Sequence, residues 1–133
     1  MTDRTTGFII AVVDDDKSIL ESLKNLLESA DHAVRLFSSA AALLESGCVA
    51  EVDCLISDID LPVMDGFELL RAVQAARPAL PIILITGRPD LLNRLPPTSP
   101  GHYRHFKKPF DGQELLSVIS DALRNPRPRK PQL

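Results

Sequence analysis

Few features of this sequence point to a disulfide, a membrane or an export signal. Its two cysteines, Cys48 and Cys54, lie in apolar surroundings and lack the spacing of metal ligands. The longest apolar run is far shorter than a membrane span, and the first residues lack the apolar core of a signal peptide. We therefore expect reduced thiols, no membrane partner and a cytoplasmic location.

Cations are also scarce over most of the chain. The sequence has 15 lysines and arginines against 18 acids, which gives a formal net charge of −3. The last ten residues hold four of those cations and no acid, so residues 1–123 carry seven more acids than cations. This acidic body argues against nucleic acid as the domain's own ligand, and it is compatible with cation binding.

Short apolar strands alternate with helical patterns along the whole chain. After Asp16, for example, apolar residues recur with helical periodicity from Ile19 to Ala30. Five such strand–helix repeats predict an α/β fold with a doubly wound parallel sheet.

The chain has the length and composition of one domain with short ends. Its 133 residues are 44% hydrophobic and 25% charged, as in ordinary globular domains. Prolines and cations dominate the last ten residues, which lack apolar periodicity. We expect an N-terminal extension over residues 1–6, a domain over 7–123 and a basic proline-rich tail or linker stub over 124–133.

Polar side chains stand where the predicted strands end. In strand order they are Asp14, Asp15, Asp58, Thr86 and Lys108. Ligands of open parallel sheets bind beyond the carboxyl ends of the strands, so these side chains should converge. Carboxylates, a hydroxyl and a cation at such an edge are the makeup of a phosphoryl-transfer site. Asp16 is better explained as the N-cap of the following helix.

Four segments together resemble the receiver domain of two-component response regulators. They are Val12–Asp16, Ser57–Gly66, Ile85–Gly87 and Lys107–Phe110. The resemblance covers about residues 7–123 and implies a flavodoxin-like sheet of five parallel strands in the order 2-1-3-4-5. It also implies a role in phosphorelay signal transduction, with a histidine kinase or a histidine phosphotransfer protein as donor. An unidentified downstream protein would read the phosphorylated state, and phosphorylation-dependent dimerisation is a further expectation.

The resemblance assigns the phosphoryl group to Asp58, which makes the chain a signalling switch rather than an enzyme. Catalysis would be limited to its own phosphorylation and dephosphorylation. A phosphoryl dianion that enters an acidic pocket needs a divalent cation, and Mg²⁺ suits carboxylate ligands. The implied ligands are Asp14, Asp15, Asp58 and the backbone carbonyl of Asp60.

The remaining residues of the set would contact the phosphoryl group or adjust its chemistry. Lys108 would pair with one phosphoryl oxygen and Thr86 would donate to another, while Gly87 would leave space. We hypothesise that Arg88 and Asp60 form a salt bridge that partly covers the site and restricts attacking water. The alternative is two independent solvated charges, since exposed pairs contribute little.

The output side of the domain departs from the family pattern. Prolines within Pro89–Gly101 predict a shortened or irregular fourth helix. His105 occupies the position of an aromatic switch residue, where it could act as a rotating ring or simply be a surface or core histidine. Lys108–Pro109 resembles the family's cis peptide.

Two other functions remain open at this point. Asp58-Ile59-Asp60 after an apolar strand also imitates the nucleophile and acid/base pair of haloacid-dehalogenase-like phosphatases, although Asp14 and Asp15 then come too early in the chain. A receiver-shaped interaction module without phosphorylation is the other alternative.

Overall fold

A sheet of five parallel strands forms the centre of the molecule, in the order β2-β1-β3-β4-β5 that the resemblance predicts. This is a computed structural model, and it describes residues 7–88, 90 and 103–124. The strands are β1 (Ile9–Val13), β2 (Ala33–Phe37), β3 (Cys54–Asp58), β4 (Ile82–Thr86) and β5 (Tyr103–Lys107).

Helices follow the strands, and short polar residues cap their starts. They are α1 (Lys17–Ser29), α2 (Ala40–Ser46), a 3₁₀ turn (Cys48–Ala50), α3 (Gly66–Ala76) and α4 (Gly112–Arg124). Asp16 accepts a hydrogen bond from the Ser18 amide and is the N-cap of α1, as predicted. Asp65 and Glu68 form a reciprocal capping box at α3.

The sheet is covered on both faces, which explains its continuous apolar strands. Residues that alternate along each strand enter different cores. One core contains Val13, Leu55 and Leu84 with side chains of α2 and α3. The other contains Ile10 and Ile56 with side chains of α1 and α4. This two-sided burial is typical of a doubly wound fold.

The strand register brings the predicted polar residues to one edge. Val13 pairs with Ser57, Asp58 with Ile85 and Thr86 with Lys107, all in parallel. The carboxyl ends of β1, β3, β4 and β5 therefore meet at a common edge, beyond which ligands bind in such sheets.

Several predictions about the ends and the output side fall outside the described residues. These are the extension over residues 1–6, the predicted tail over 124–133 except Arg124, and nearly all of the irregular fourth-helix segment. Arg124 was predicted to belong to the tail but is the last residue of α4. Within the described part, the Lys108–Pro109 peptide is cis and both cysteines are free. No helix there is long and apolar enough to cross a membrane.

Candidate functional site

Three carboxylates converge beyond the ends of β1 and β3. One oxygen from each of Asp14, Asp15 and Asp58 lies within 4.8 Å of the others. Asp14 and Asp58 are almost completely buried, with 2% and 5% exposure, whereas Asp15 is exposed. Three carboxylate oxygens this close together could serve as ligands of one divalent cation.

Backbone amides fix the orientation of both buried carboxylates. Oδ1 of Asp14 accepts a hydrogen bond from the Asp16 amide at 2.9 Å. Oδ1 of Asp58 accepts one from the Asp60 amide at 3.1 Å. The second oxygen of each carboxylate, Oδ2, contacts one shared side chain.

Lys108 is that partner, because its ammonium group lies between the two buried acids. Its Nζ is 3.2 Å from Asp14 Oδ2 and 3.4 Å from Asp58 Oδ2. The cis peptide that follows Lys108 lies at the end of β5, and the Lys108 amide donates to the Thr86 carbonyl. The loop after β5 is thus joined to the end of β4, which directs the lysine toward the acids.

The pKa values of both Asp58 and Lys108 are raised, for different physical reasons. Burial raises the pKa of Asp58, and the nearby charge of Asp14 adds to the increase, against the Asp60 amide and Lys108. Partial burial lowers the pKa of Lys108, but the charges of Asp58 and Asp14 outweigh it and the net pKa is raised. The charged form of the lysine is therefore favoured, while burial makes the charged form of Asp58 less favourable than it is in water.

Thr86 lies at the end of β4 with its hydroxyl engaged by nearby backbone. It is fully buried, and its Oγ1 accepts a hydrogen bond from the Arg88 amide at 2.8 Å and lies 3.1 Å from the Arg88 carbonyl oxygen. A Cβ added to Gly87 would meet only the Lys108 side chain, at 3.8 Å. Thr86 and Gly87 thus lie at the carboxyl end of β4, beside the loop that carries Lys108.

The predicted Arg88–Asp60 pair is present in a loose form. Arg88 Nη1 lies 4.0 Å from Asp60 Oδ2, and Arg88 Nη2 lies 3.4 Å from Asp90 Oδ2. Arg88 and Asp60 are both about half exposed. The sequence did not indicate Asp90 as a competing partner. His105 lies on β5, outside the acid cluster, and is exposed.

Comparisons with known proteins identify the family of this site and fold. Residues 10–120 match the response regulator receiver domain family. The chain belongs to that family. This membership favours the phosphorelay interpretation over a haloacid-dehalogenase-like phosphatase.

Two curated relatives of this receiver domain are named as transcriptional regulators. It is 35% identical to the transcriptional regulatory protein FixJ of Bradyrhizobium diazoefficiens, over 93% of this chain and 60% of FixJ. It is 33% identical to the DNA-binding transcriptional regulator NtrC of Rhizobium meliloti, over 96% of this chain and 26% of NtrC. The chain therefore spans less than two-thirds of the length of each of these relatives.

A solved receiver domain of similar size has the same fold. It is the signal receiver domain of an HD domain-containing protein from Pseudomonas fluorescens Pf-5, with a TM-score of 0.81 and 34% identity. The match covers 94% of this chain and 92% of that one. The described architecture is thus that of a receiver domain over nearly its whole length.

Three further features around the site were missed by sequence reasoning. The first is the close approach of Gly66 to the backbone after Asp58, and the second is the left-handed backbone of Val63, with φ of 66°. The Asp65–Glu68 capping box was also missed, although the Asp-x-x-Glu spacing of the sequence indicates it.

Proposed function

We propose that Asp58 accepts a phosphoryl group from a phosphohistidine donor in a Mg²⁺-dependent reaction. The observation that carries this proposal is the convergence of Asp14, Asp15 and Asp58, with Lys108 between two of them. A carboxylate oxygen of Asp58 would attack phosphorus as the bond from phosphorus to the donor's imidazole nitrogen breaks. The switch would then shift a conformational equilibrium and change partner binding.

The residues present fit a Mg²⁺ ion. Magnesium prefers a few carboxylates together with water and phosphate oxygens, and three carboxylates within 4.8 Å of one another meet that preference. Asp14, Asp15 and Asp58 would hold the ion, with the Asp60 backbone carbonyl as a further ligand. When bound, the ion would offset the repulsion between the acidic pocket and the incoming phosphoryl dianion.

The chain's own residues would bind and orient the reacting groups. The Asp60 amide holds one oxygen of Asp58, which fixes the direction of the carboxylate. The ammonium group of Lys108 lies 3.4 Å from Asp58, so it would contact a phosphoryl oxygen once Asp58 carries the phosphoryl group. Thr86 would donate its single hydroxyl proton to another phosphoryl oxygen, and Gly87 would leave space for the group.

Phosphorylation by a small acyl phosphate tests this proposal. The purified chain should form an acid-stable, base-labile adduct with acetyl phosphate in the presence of Mg²⁺, and chelation of the ion should prevent it. Asp58→Asn should form no adduct, whereas Asp53→Asn, which changes an acid at the opposite end of β3, should form it normally. A folded wild-type protein that binds Mg²⁺ and forms no adduct would contradict the proposal.

Arg88 and Asp60 would lengthen the lifetime of the phosphorylated state by partly covering the site. The support is their 4.0 Å separation at the rim, with Asp90 as a competitor for the same guanidinium. Arg88→Ala should then lose its phosphoryl group faster than the wild type, by several-fold. Equal dephosphorylation rates would show that the two charges act independently.

We further propose that this domain acts in the cytoplasm within a phosphorelay. The donor would be a histidine kinase or a histidine phosphotransfer protein, and an unidentified protein would read the switch. Nucleic acid and membranes would not bind this domain directly, and phosphorylation would favour a dimer. His105 on β5 would take part in the readout. The domain would correspond to residues 7–123, with residues 124–133 as its linker or tail.

A further inference from the structure

The first residue of α3 lies directly against the backbone that carries the acceptor. A Cβ built on Gly66 would lie 2.5 Å from Ile59 Cα, 2.7 Å from the Asp58 carbonyl oxygen and 3.1 Å from the Ile59 carbonyl oxygen. All three are backbone atoms, which cannot move aside as the end of a side chain can. A side chain at Gly66 would therefore force α3 and the segment after β3 apart.

Hydrogen bonds connect this contact to the acceptor carboxylate in three steps. The Gly66 amide donates to the Ile59 carbonyl at 2.8 Å, and the Leu61 amide donates to the same oxygen at 3.0 Å. The two bonds fix the peptide unit between Ile59 and Asp60. The Asp60 amide belongs to that peptide unit, and it holds Oδ1 of Asp58 at 3.1 Å.

We propose that Gly66 is a positioning residue for the phosphorylation of Asp58. The missing side chain lets the start of α3 support the Ile59–Asp60 peptide, and that peptide sets the direction of the Asp58 carboxylate. The same peptide precedes the Asp60 carbonyl proposed as a metal ligand. This inference rests on the proposed function, because it concerns the same acceptor.

Gly112 provides a matched control, since it is also the first residue of a helix. A Cβ at Gly112 would meet only two methyl carbons of Leu26, at 3.3 and 3.5 Å. These methyl groups are the end of a flexible side chain that packs against the core between the sheet, α1 and α4. Gly112→Ala thus makes the same chemical change at the same helical position without reaching the acceptor backbone.

The first experiment compares phosphorylation rates of Gly66→Ala, Gly112→Ala and the wild type. Each folded protein receives acetyl phosphate at saturating Mg²⁺, and urea unfolding verifies the folded fraction. Gly66→Ala should react about tenfold more slowly or worse, because small displacements of reacting groups have effects of that size. Gly112→Ala should stay within about twofold of the wild type. In Gly66→Ala the NMR resonance of the Asp60 amide should also shift, which a remote loss of stability does not cause.

A second pair of variants tests the positioning role if Gly66→Ala does not fold. Asp65 caps α3, with its carboxylate accepting from the Glu68 amide at 3.0 Å. Asp65→Ala should loosen the start of α3 and slow phosphorylation, whereas Asp65→Asn retains a capping group and should restore the rate.

The outcomes separate this inference from the proposed function. A wild-type rate in Gly66→Ala overturns the positioning role, and so does a slower rate with an unchanged Asp60 resonance. If Gly66→Ala is unfolded, equal rates in Asp65→Ala and Asp65→Asn overturn it. Failure of the wild type and Gly112→Ala to form any adduct overturns the proposed function itself, and the positioning role with it.

Discussion

The backbone conformation of Val63 should reduce the stability of this domain, and a residue that tolerates this conformation should restore the lost stability. The residue lies in the loop between β3 and α3 with φ of 66°, a left-handed conformation that β-branched residues adopt rarely. Its side chain is fully exposed, so it contributes no packing that a substitution would lose. Val63→Asn is the appropriate change, because asparagine tolerates this conformation.

The expected gain follows from the conformational energy alone. A left-handed backbone is unfavourable by roughly 1–2 kcal/mol for an ordinary residue, so Val63→Asn should raise the free energy of unfolding by about 1 kcal/mol. For a domain of this size, that corresponds to an increase in Tm of about 4 °C. Val63→Gly should gain less, because glycine adds roughly 0.5–1 kcal/mol of unfolded-state entropy. Urea unfolding followed by far-ultraviolet circular dichroism measures both changes.

Asp31 allows the reverse experiment on the same molecule. It is exposed and has φ of 70°, so Asp31→Val places a β-branched residue in the same backbone region. This variant should lose about 1 kcal/mol with an unchanged dependence on urea concentration. A Val63→Asn protein no more stable than the wild type, together with a neutral Asp31→Val, would refute the reasoning from backbone strain.

Three further predictions concern single side chains elsewhere in the domain. His32 has a buried Nδ1 without a hydrogen-bond partner among the described residues, and burial lowers its pKa. As the pH falls through about 6.5, the unfolded chain therefore binds a proton before the folded one, and stability decreases. His32→Phe should remove that share of the pH dependence in urea unfolding, and an identical dependence would contradict it. Arg77 Nη1 donates to the carbonyls of Val49 and Val52 at 2.8 and 2.6 Å. Arg77→Ala should therefore lose about 1–3 kcal/mol of unfolding free energy, and Arg77→Lys should lose less. An unchanged urea midpoint in Arg77→Ala would show that these bonds do not stabilise the fold. Lys108→Met removes the cation beside Asp14. The variant should bind Mg²⁺ several-fold more tightly, as measured by calorimetry, and should be phosphorylated more slowly. Weaker Mg²⁺ binding would contradict a competition between the lysine and the metal.

The layout of the fold could be predicted because the signals are local and repeated. Apolar strands that end in polar residues mark the sheet, and helical periodicity marks the segments between them. These repeats predict a parallel doubly wound sheet but do not determine the order of the strands. The order 2-1-3-4-5 came from the resemblance to receiver domains, since pairing between strands far apart in sequence leaves no local pattern.

Details of the site depend on how the chain approaches itself, which the sequence does not encode locally. The convergence of Asp58 and Lys108 could be predicted because both stand at the carboxyl ends of strands of one sheet. The close approach of Gly66 to Ile59 could not, because it depends on the path of the whole loop between β3 and α3. The engagement of the Thr86 hydroxyl by Arg88 is another example, because a hydroxyl has several partners within reach at any strand end.

The central claim is that the phosphoryl group is carried by Asp58, and locating the adduct tests it most directly. The chain is phosphorylated with acetyl phosphate and Mg²⁺, the aspartyl phosphate is reduced with borohydride, and the modified residue is identified by peptide mass spectrometry. The account predicts modification at Asp58 and none at Asp14 or Asp15, which lie within 4.8 Å and serve as internal controls. Modification at another residue, with Asp58 intact, would contradict it.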